Sequence, residues 1–265
     1  MGSGNASALN AIKNNDLPTV LGYLLKMPGV KVDRTEFLAK MFKVSSTDIV
    51  NNNYYASFEL RKKCADRRIR ANVRNSTSFS FMSGLPGGVA IAGTIPADIL
   101  QNMIYSIRLI QELAYIYDYQ DLVDADDNLN SDAIILFMGI MFGAQGAASV
   151  LRVMSKNAAQ NIGKKIMNTA LTKTTWYPVL KKITSIVASE TLTKKGLAGI
   201  ASKSIPVVGG VASGGITLVT MKHQANRLNN EFLESFGKDY NDEDYQRDVK
   251  IIQGEYEETN KKERP

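Results

Sequence analysis

"IPADILQNMIYSIRLIQELAYIYDY", residues 95–119, decides the fold class. Stepping about 100° per residue, Asp98, Gln101, Tyr105, Arg108, Glu112, Tyr115 and Tyr119 fall on one narrow polar stripe. The rest of the circumference is apolar: Ile95, Ile99, Leu100, Met103, Ile104, Ile107, Leu109, Ile110 and Leu113. A surface helix has the opposite balance, with a narrow apolar stripe on a polar cylinder. The segment is therefore predicted as a helix from near Ala90 to near Tyr117 that is buried on most sides. Its polar stripe faces an interior seam, a cleft or solvent. A helix enclosed in this way needs neighbours.

The flanking sequence supplies them. "DLPTVLGYLLKM", residues 16–27, opens with Asp16 as an N-cap and Pro18 in the first turn. "DRTEFLAKMF", residues 33–42, offers Asp33 and Glu36 at capping-box spacing. Residues 46–75 read as two helices. The polar loop "VDADDNLNSD" ends in Asp132, predicted as the N-cap of a helix carrying "AIILFMGIMFGAQGAASVL", residues 133–151. That run has no charge and is borderline for a membrane span of roughly 17–25 residues. Gln145 and the small residues beside it favour a buried core helix. Further helices are predicted over 157–172, 175–190 and 192–203, and from about Pro206 towards Phe236. Strand signals are sparse. The expected fold is all-α, a multi-helix bundle with two long, glycine-rich central helices. Residues 1–241 form a single domain and 242–265 a charged C-terminal tail.

Two segments share the pattern G-G-V-A-x-x-G, "LPGGVAIAG" at 85–93 and "VVGGVASGG" at 207–215. Pro86, Gly87, Gly88, Gly93 and Pro96 mark the first, and Pro206, Gly209, Gly210, Gly214 and Gly215 the second. Neither has the Gly-Lys-Ser/Thr, nor the preceding strand, that a phosphate-cradling loop needs. Small residues at steps of three and four let helix backbones approach closely. A mid-helix glycine costs about 1 kcal/mol, so several together imply a compensating contact. The two segments are expected either to pack on each other or to serve as an adaptable apolar element at a membrane.

Catalytic signals are few. The chain has one cysteine, Cys64, and one histidine, His223. This excludes an internal disulfide and the usual zinc ligand sets, and the lone cysteine fits a reducing compartment. No G-x-S-x-G elbow is present. "DADDNLNSD" spaces oxygens as a calcium loop does, but has Leu129 where the turn needs Gly and Ile135 where a bidentate Glu belongs. No metal and no cofactor is expected. No basic start followed by a short apolar run marks a secretory signal. The polar stripe leaves two alternatives open. Asp98, Gln101, Tyr105, Arg108, Glu112 and Tyr115 form either a hydrogen-bond network between helices or a ligand cleft. In the second case the protein is a hydrolase or small-ligand binder, with Asp98 or Glu112 as acid/base and Arg108 steering an anionic substrate.

The net charge of +6 hides an asymmetry. From Ala133 to Lys222 there are eleven Lys/Arg and one acid, Glu190. From Glu231 onward there are eleven acids and six bases. "RKKCADRRIR", residues 61–70, is a second basic cluster. Such patterning suits an anionic partner. No nucleic-acid motif accompanies it and aromatics are not interleaved with the bases, which disfavours nucleic acid. Basic helix faces beside apolar glycine-rich segments suit an anionic phospholipid surface better. The candidate lipid-facing residues are Arg61, Lys62, Lys63, Arg67, Arg68, Lys164, Lys165, Lys181, Lys182, Lys194 and Lys195. The alternative is that the acidic C-terminal segment folds back over the basic region.

Together these segments resemble the bacterial EcsC family. The likeness is carried by "PGVKVDRTEFL" at 28–38, "GLPGGVAIAGTIPADILQ" at 84–101, "RLIQELAYIYDYQD" at 108–121, "MGIMFGAQGAA" at 138–148 and "KSIPVVGGVASGGIT" at 203–217. It spans most of the chain from about 20 to 235. Where family patterns tend towards Tyr-Gly after the central helix, this chain has Tyr117-Asp118. The resemblance implies a helical bacterial protein associated with the cytoplasmic side of the membrane, with membrane or transporter proteins as further partners, and it implies no settled activity.

Overall fold

The computed structural model describes residues 16–27, 29–75, 97–119, 122–123, 130–160, 182–188, 213–237 and 241–263, and among these it contains ten helices and no β-strand. The fold is all-α. Capping chemistry sets most helix starts. For α1 (Leu17–Leu25), the Asp16 carboxylate accepts from the Thr19 N–H and hydroxyl, at 3.3 and 2.6 Å. For α2 (Arg34–Phe42), Asp33 accepts from the Glu36 N–H at 2.7 Å. The short α3 (Ser46–Val50) begins with a full capping box between Ser45 and Asp48. In α4 (Phe58–Asn75), the Ser57 hydroxyl accepts from the Leu60 N–H at 3.2 Å. The long enclosed helix is α5 (Ala97–Ile116).

The uncharged run at 133–151 is not one helix. It divides into α6 (Ser131–Phe142) and α7 (Ala147–Gln160). Gly143, with φ 72°, closes α6: Ala144 N–H donates to Gly139 O at 2.7 Å and Gly143 N–H to Ile140 O at 3.0 Å. This left-handed closure is the Schellman arrangement that glycine favours. A helix as short as α6 rises only about 18 Å, against a hydrocarbon core of about 30 Å. Among the described residues no helix is long and apolar enough to cross a membrane. The N-cap of α6 also differs from expectation: Asn130 accepts from the Ala133 N–H at 3.2 Å. Asp132 lies inside the first turn, where burial raises its carboxyl pKa.

The C-terminal half contributes α8 (182–188), α9 (Ser213–Gly237) and α10 (Asp242–Glu263). The centre of the molecule is α9, which packs on α4, α5, α6 and α7. Phe232 of α9 is fully buried, its ring 5.6, 4.8 and 5.0 Å from those of Tyr117, Tyr119 and Phe137. Tyr117 donates its hydroxyl to Asn229 Oδ1 at 2.9 Å, which fixes α9 beside the end of α5. The charged C-terminal segment is helical from Asp242 to Glu263: α10 lies along α7, with Asp248, Ile252 and Glu255 buried.

Of the glycine-rich segments, Gly214 and Gly215 fall in the first turn of α9. Pro86, Gly87, Gly88, Gly93, Pro96, Pro206, Gly209 and Gly210 lie outside the described residues. The long helix α5 contains no glycine. Close approach at a glycine is found elsewhere: a Cβ added to Gly139 of α6 would lie 2.5 Å from Ile183 Cγ2 of α8.

Candidate functional site

Within the polar stripe of α5, Glu112 faces α4. Arg68 of α4 meets Glu112 of α5, and Arg61 meets Ile116, so the two helices run antiparallel. Arg68 holds Glu112 with two parallel bonds, Nε to Oε2 at 2.9 Å and Nη2 to Oε1 at 2.5 Å. Arg108 approaches the same carboxylate at 3.6 Å. Glu112 is 1% exposed and each guanidinium side chain 26%. The guanidinium of Arg68 also lies 5.8 Å from the Phe37 ring centroid. A carboxylate bound bidentately by one arginine and flanked by a second is a structural ion pair. Each of its oxygens accepts a hydrogen bond from Arg68, an arrangement that suits holding the two helices together.

The other stripe residues divide. Tyr105 and Tyr115 are buried, and Arg34 stacks its guanidinium 5.3 Å from the Tyr115 ring centroid. Asp98 and Gln101 lie on α5, but their side chains are outside the described residues. Sequence reasoning missed Gln111, which is fully buried one position before Glu112. Its side-chain oxygen accepts from Val32 N–H at 3.0 Å, and its nitrogen donates to Val30 O at 3.0 Å and Ile107 O at 3.1 Å. This one amide ties the α1–α2 connection to α5. The available signal was a glutamine on the apolar side of the helix, flanked by Ile110, Leu113 and Ala114.

The basic residues have three fates. Arg61, expected to face lipid, points inward and is buried. It donates to Ile116 O and, at 3.1 Å, to Ala56 O, and covers the Phe42 ring at 5.5 Å. A guanidinium on the last carbonyls of α5 also meets the negative end of that helix. Arg68 is committed to Glu112. Lys62, Lys63, Arg67 and Arg70 remain exposed and share the outer face of α4, while Cys64, Ala65, Ile69 and Asn72 occupy its inner face. Among these inner residues Cys64 donates its thiol to Met41 O at 3.6 Å, and burial raises the thiol pKa, so it is a packing residue rather than a nucleophile.

In the C-terminal half, acidic residues meet the bases. Arg152 of α7 donates to Asp248 of α10 at 2.8 and 2.9 Å and to Glu231 of α9 at 2.6 Å. Ser149 donates to Asp248 at 2.7 Å. The hydrogen bond to Asp248 pushes the Arg152 pKa above its ordinary value. Burial pushes the Glu231 carboxyl up, and the neighbouring Arg152 opposes that shift. Lys182 of α8 pairs with the buried Glu255 of α10. Lys164, Lys165, Lys181, Lys194 and Lys195 lie outside the described residues.

Among the described residues, Asn72 Oδ1 on α4, Asn102 Oδ1 and Ser106 Oγ on α5, and both amide atoms of Gln224 on α9 are buried without a hydrogen-bond partner. Such an atom costs about 1–3 kcal/mol unless water reaches it. His223, one residue away, is exposed. Among the described residues no group of three His, Cys, Asp or Glu side chains is placed to hold a metal ion. Compared with protein-family models, curated proteins and solved structures, the chain matches none of them.

Proposed function

We propose that this is a non-enzymatic helical protein that binds anionic phospholipid surfaces peripherally, from the cytoplasmic side. The observation that carries the reading is the outer face of α4, where Lys62, Lys63, Arg67 and Arg70 are exposed together over two turns. Each cation held near an anionic bilayer contributes about 1 kcal/mol, so four on one helix face give a useful, salt-sensitive attachment. The resemblance to the EcsC family agrees with this location and adds membrane or transporter proteins as candidate partners. The hydrolase alternative draws less support, because Glu112 and Arg108 are occupied with each other and with Arg68.

Flotation of the full chain with vesicles tests the proposal. Binding is expected to phosphatidylserine-containing vesicles at about 0.1 M salt and not to pure phosphatidylcholine. Near 1 M salt, where screening acts over only about 3 Å, binding should disappear. Failure to float with either vesicle at low salt would discard the proposal.

A further inference from the structure

The connection into α4 carries apolar side chains that gain nothing from water. Val50, the last residue of α3, is 71% exposed, and Tyr55 is 88% exposed. Phe58, the first residue of α4, is more than one third exposed. The adjacent Tyr54 behaves oppositely: it stacks on Phe42 with centroids 5.7 Å apart. Successive side chains of an extended segment point to opposite sides, so fixing Tyr54 inward turns Tyr55 outward.

The connection is also well braced. The Ser45–Asp48 capping box holds the start of α3. Asn52 takes φ 56°, and its N–H donates to Ile49 O at 3.1 Å while Asn53 N–H donates to Asp48 O at 2.8 Å. Val50 and Tyr55 are thus displayed by a defined turn.

Cations gather at the same end of the molecule. Phe42 of α2 meets Arg61, Met41 meets Cys64 and Phe37 meets Arg68, so the C-terminus of α2 lies beside the start of α4. There α2 exposes Lys40 and Lys43, and α4 exposes Lys62 and Lys63. From Lys40 to Arg70 the chain has eight Lys/Arg and three acids, and one of those acids, Asp48, is occupied by the capping box.

We infer that the α3–α4 turn, residues 50–58, is the element that seats in the bilayer. Val50 and Tyr55 enter the interfacial layer, and Lys43, Lys62 and Lys63 rest on anionic headgroups. Tyrosine is favoured at that depth because its ring is apolar and its hydroxyl stays wet. Nucleic acid fits less well, since valine offers no ring for a base to stack on. The inference rests on the membrane-surface reading above and specifies which part of the molecule makes contact and in what orientation.

The test uses the full chain with its single tryptophan, Trp176, replaced by Phe and a Tyr55→Trp substitution as reporter. With phosphatidylserine-containing vesicles the emission should shift to the blue and be quenched by brominated acyl chains. A Val50→Ser/Tyr55→Ala variant should partition about tenfold more weakly, from the apolar area it no longer inserts, while keeping its salt dependence. Lys62→Ala should weaken binding about fivefold. If the chain floats but the reporter neither shifts nor is quenched, another face makes the contact, and this inference fails while the membrane reading stands. If the chain does not float at all, both fail. Retention on a single-stranded oligonucleotide that abolishes vesicle binding and quenches the reporter would also overturn the inference. Val50 and Tyr55 are exposed, so melting temperatures should match the parent; should the double variant melt lower, the reporter decides alone.

Discussion

Among the described residues, four helices close on a residue in the left-handed conformation, and only one of these is glycine; Asn52, at φ 56°, closes α3. Lys43 ends α2 at φ 58°, Asp118 ends α5 at φ 62° and Gly143 ends α6 at φ 72°. The closing hydrogen bonds are alike: Val44 N–H to Ala39 O at 3.1 Å, Tyr119 N–H to Ala114 O at 2.9 Å, and Ala144 N–H to Gly139 O at 2.7 Å. Asp118 therefore occupies a conformation that glycine adopts more readily. Its short carboxylate also pairs with Arg34 at 2.8 Å, which offsets part of the strain. Lys43 has no such compensation in its backbone geometry, and a left-handed L-residue costs about 1–2 kcal/mol. Lys43→Gly should accordingly stabilise the protein by about 1 kcal/mol, read as a rise in the urea midpoint at unchanged slope. A drop in the midpoint would mean that the lysine side chain itself supports the α2–α4 end.

The pairing of α4 with α5 shows where periodicity succeeds and where it stops. The 3.6-residue pattern of 95–119 identified a helix apolar on most sides, and from Asn102 to Ile116 every residue of α5 except Arg108 is buried. It also placed Arg108 and Glu112 within reach of each other, and they lie 3.6 Å apart. It could not find the stronger partner, because Arg68 is 44 positions away in sequence and looks like any member of a basic run. The inward turn of Arg61 is hidden for the same reason: the six basic residues of 61–70 read alike until the backbone assigns faces. Local signals fared better, since Asp16, Asp33 and the two helices within 46–75 depend on neighbours only. Asn130 displaced Asp132 as a cap because both are good caps and the loop geometry chose between them. Removing Arg68 leaves the Glu112 carboxylate buried with only Arg108 nearby, so Arg68→Met should cost about 3 kcal/mol. Glu112→Gln leaves two guanidinium groups that solvent can reach and should cost about half as much. The apolar pair Arg68→Met/Glu112→Leu should recover most of the loss, and urea denaturation of the three variants makes the comparison. Strict additivity of the single changes would show that the two residues do not form a functional pair.

At the scale of the whole molecule, folding consumes part of the charge asymmetry of the sequence. The fold-back alternative applies to the described part of the C-terminal half: α10 carries Asp248 and Glu255 onto Arg152 and Lys182, and α9 adds Glu231. Composition exposed the imbalance, but only tertiary structure could decide which bases are consumed internally and which, like those on the outer face of α4, stay available. The Arg152 cluster joins three helices, and Asp248 at its centre is completely buried. Burial makes this charge hard to replace by water or by salt. Asp248→Asn should therefore destabilise the fold by about 3 kcal/mol and render α10 sensitive to limited proteolysis. The loss should persist at about 1 M salt, because screening acts weakly on buried pairs. On the same helix, the Arg247–Asp244 pair lies 2.9 Å apart with Arg247 62% exposed, and an exposed pair of this kind contributes little. Arg247→Ala should stay within about 0.5 kcal/mol of the parent. If the two substitutions prove equally mild, α10 is held to α7 by its apolar contacts alone, and the buried cluster serves to set the register of the helices rather than to hold them together.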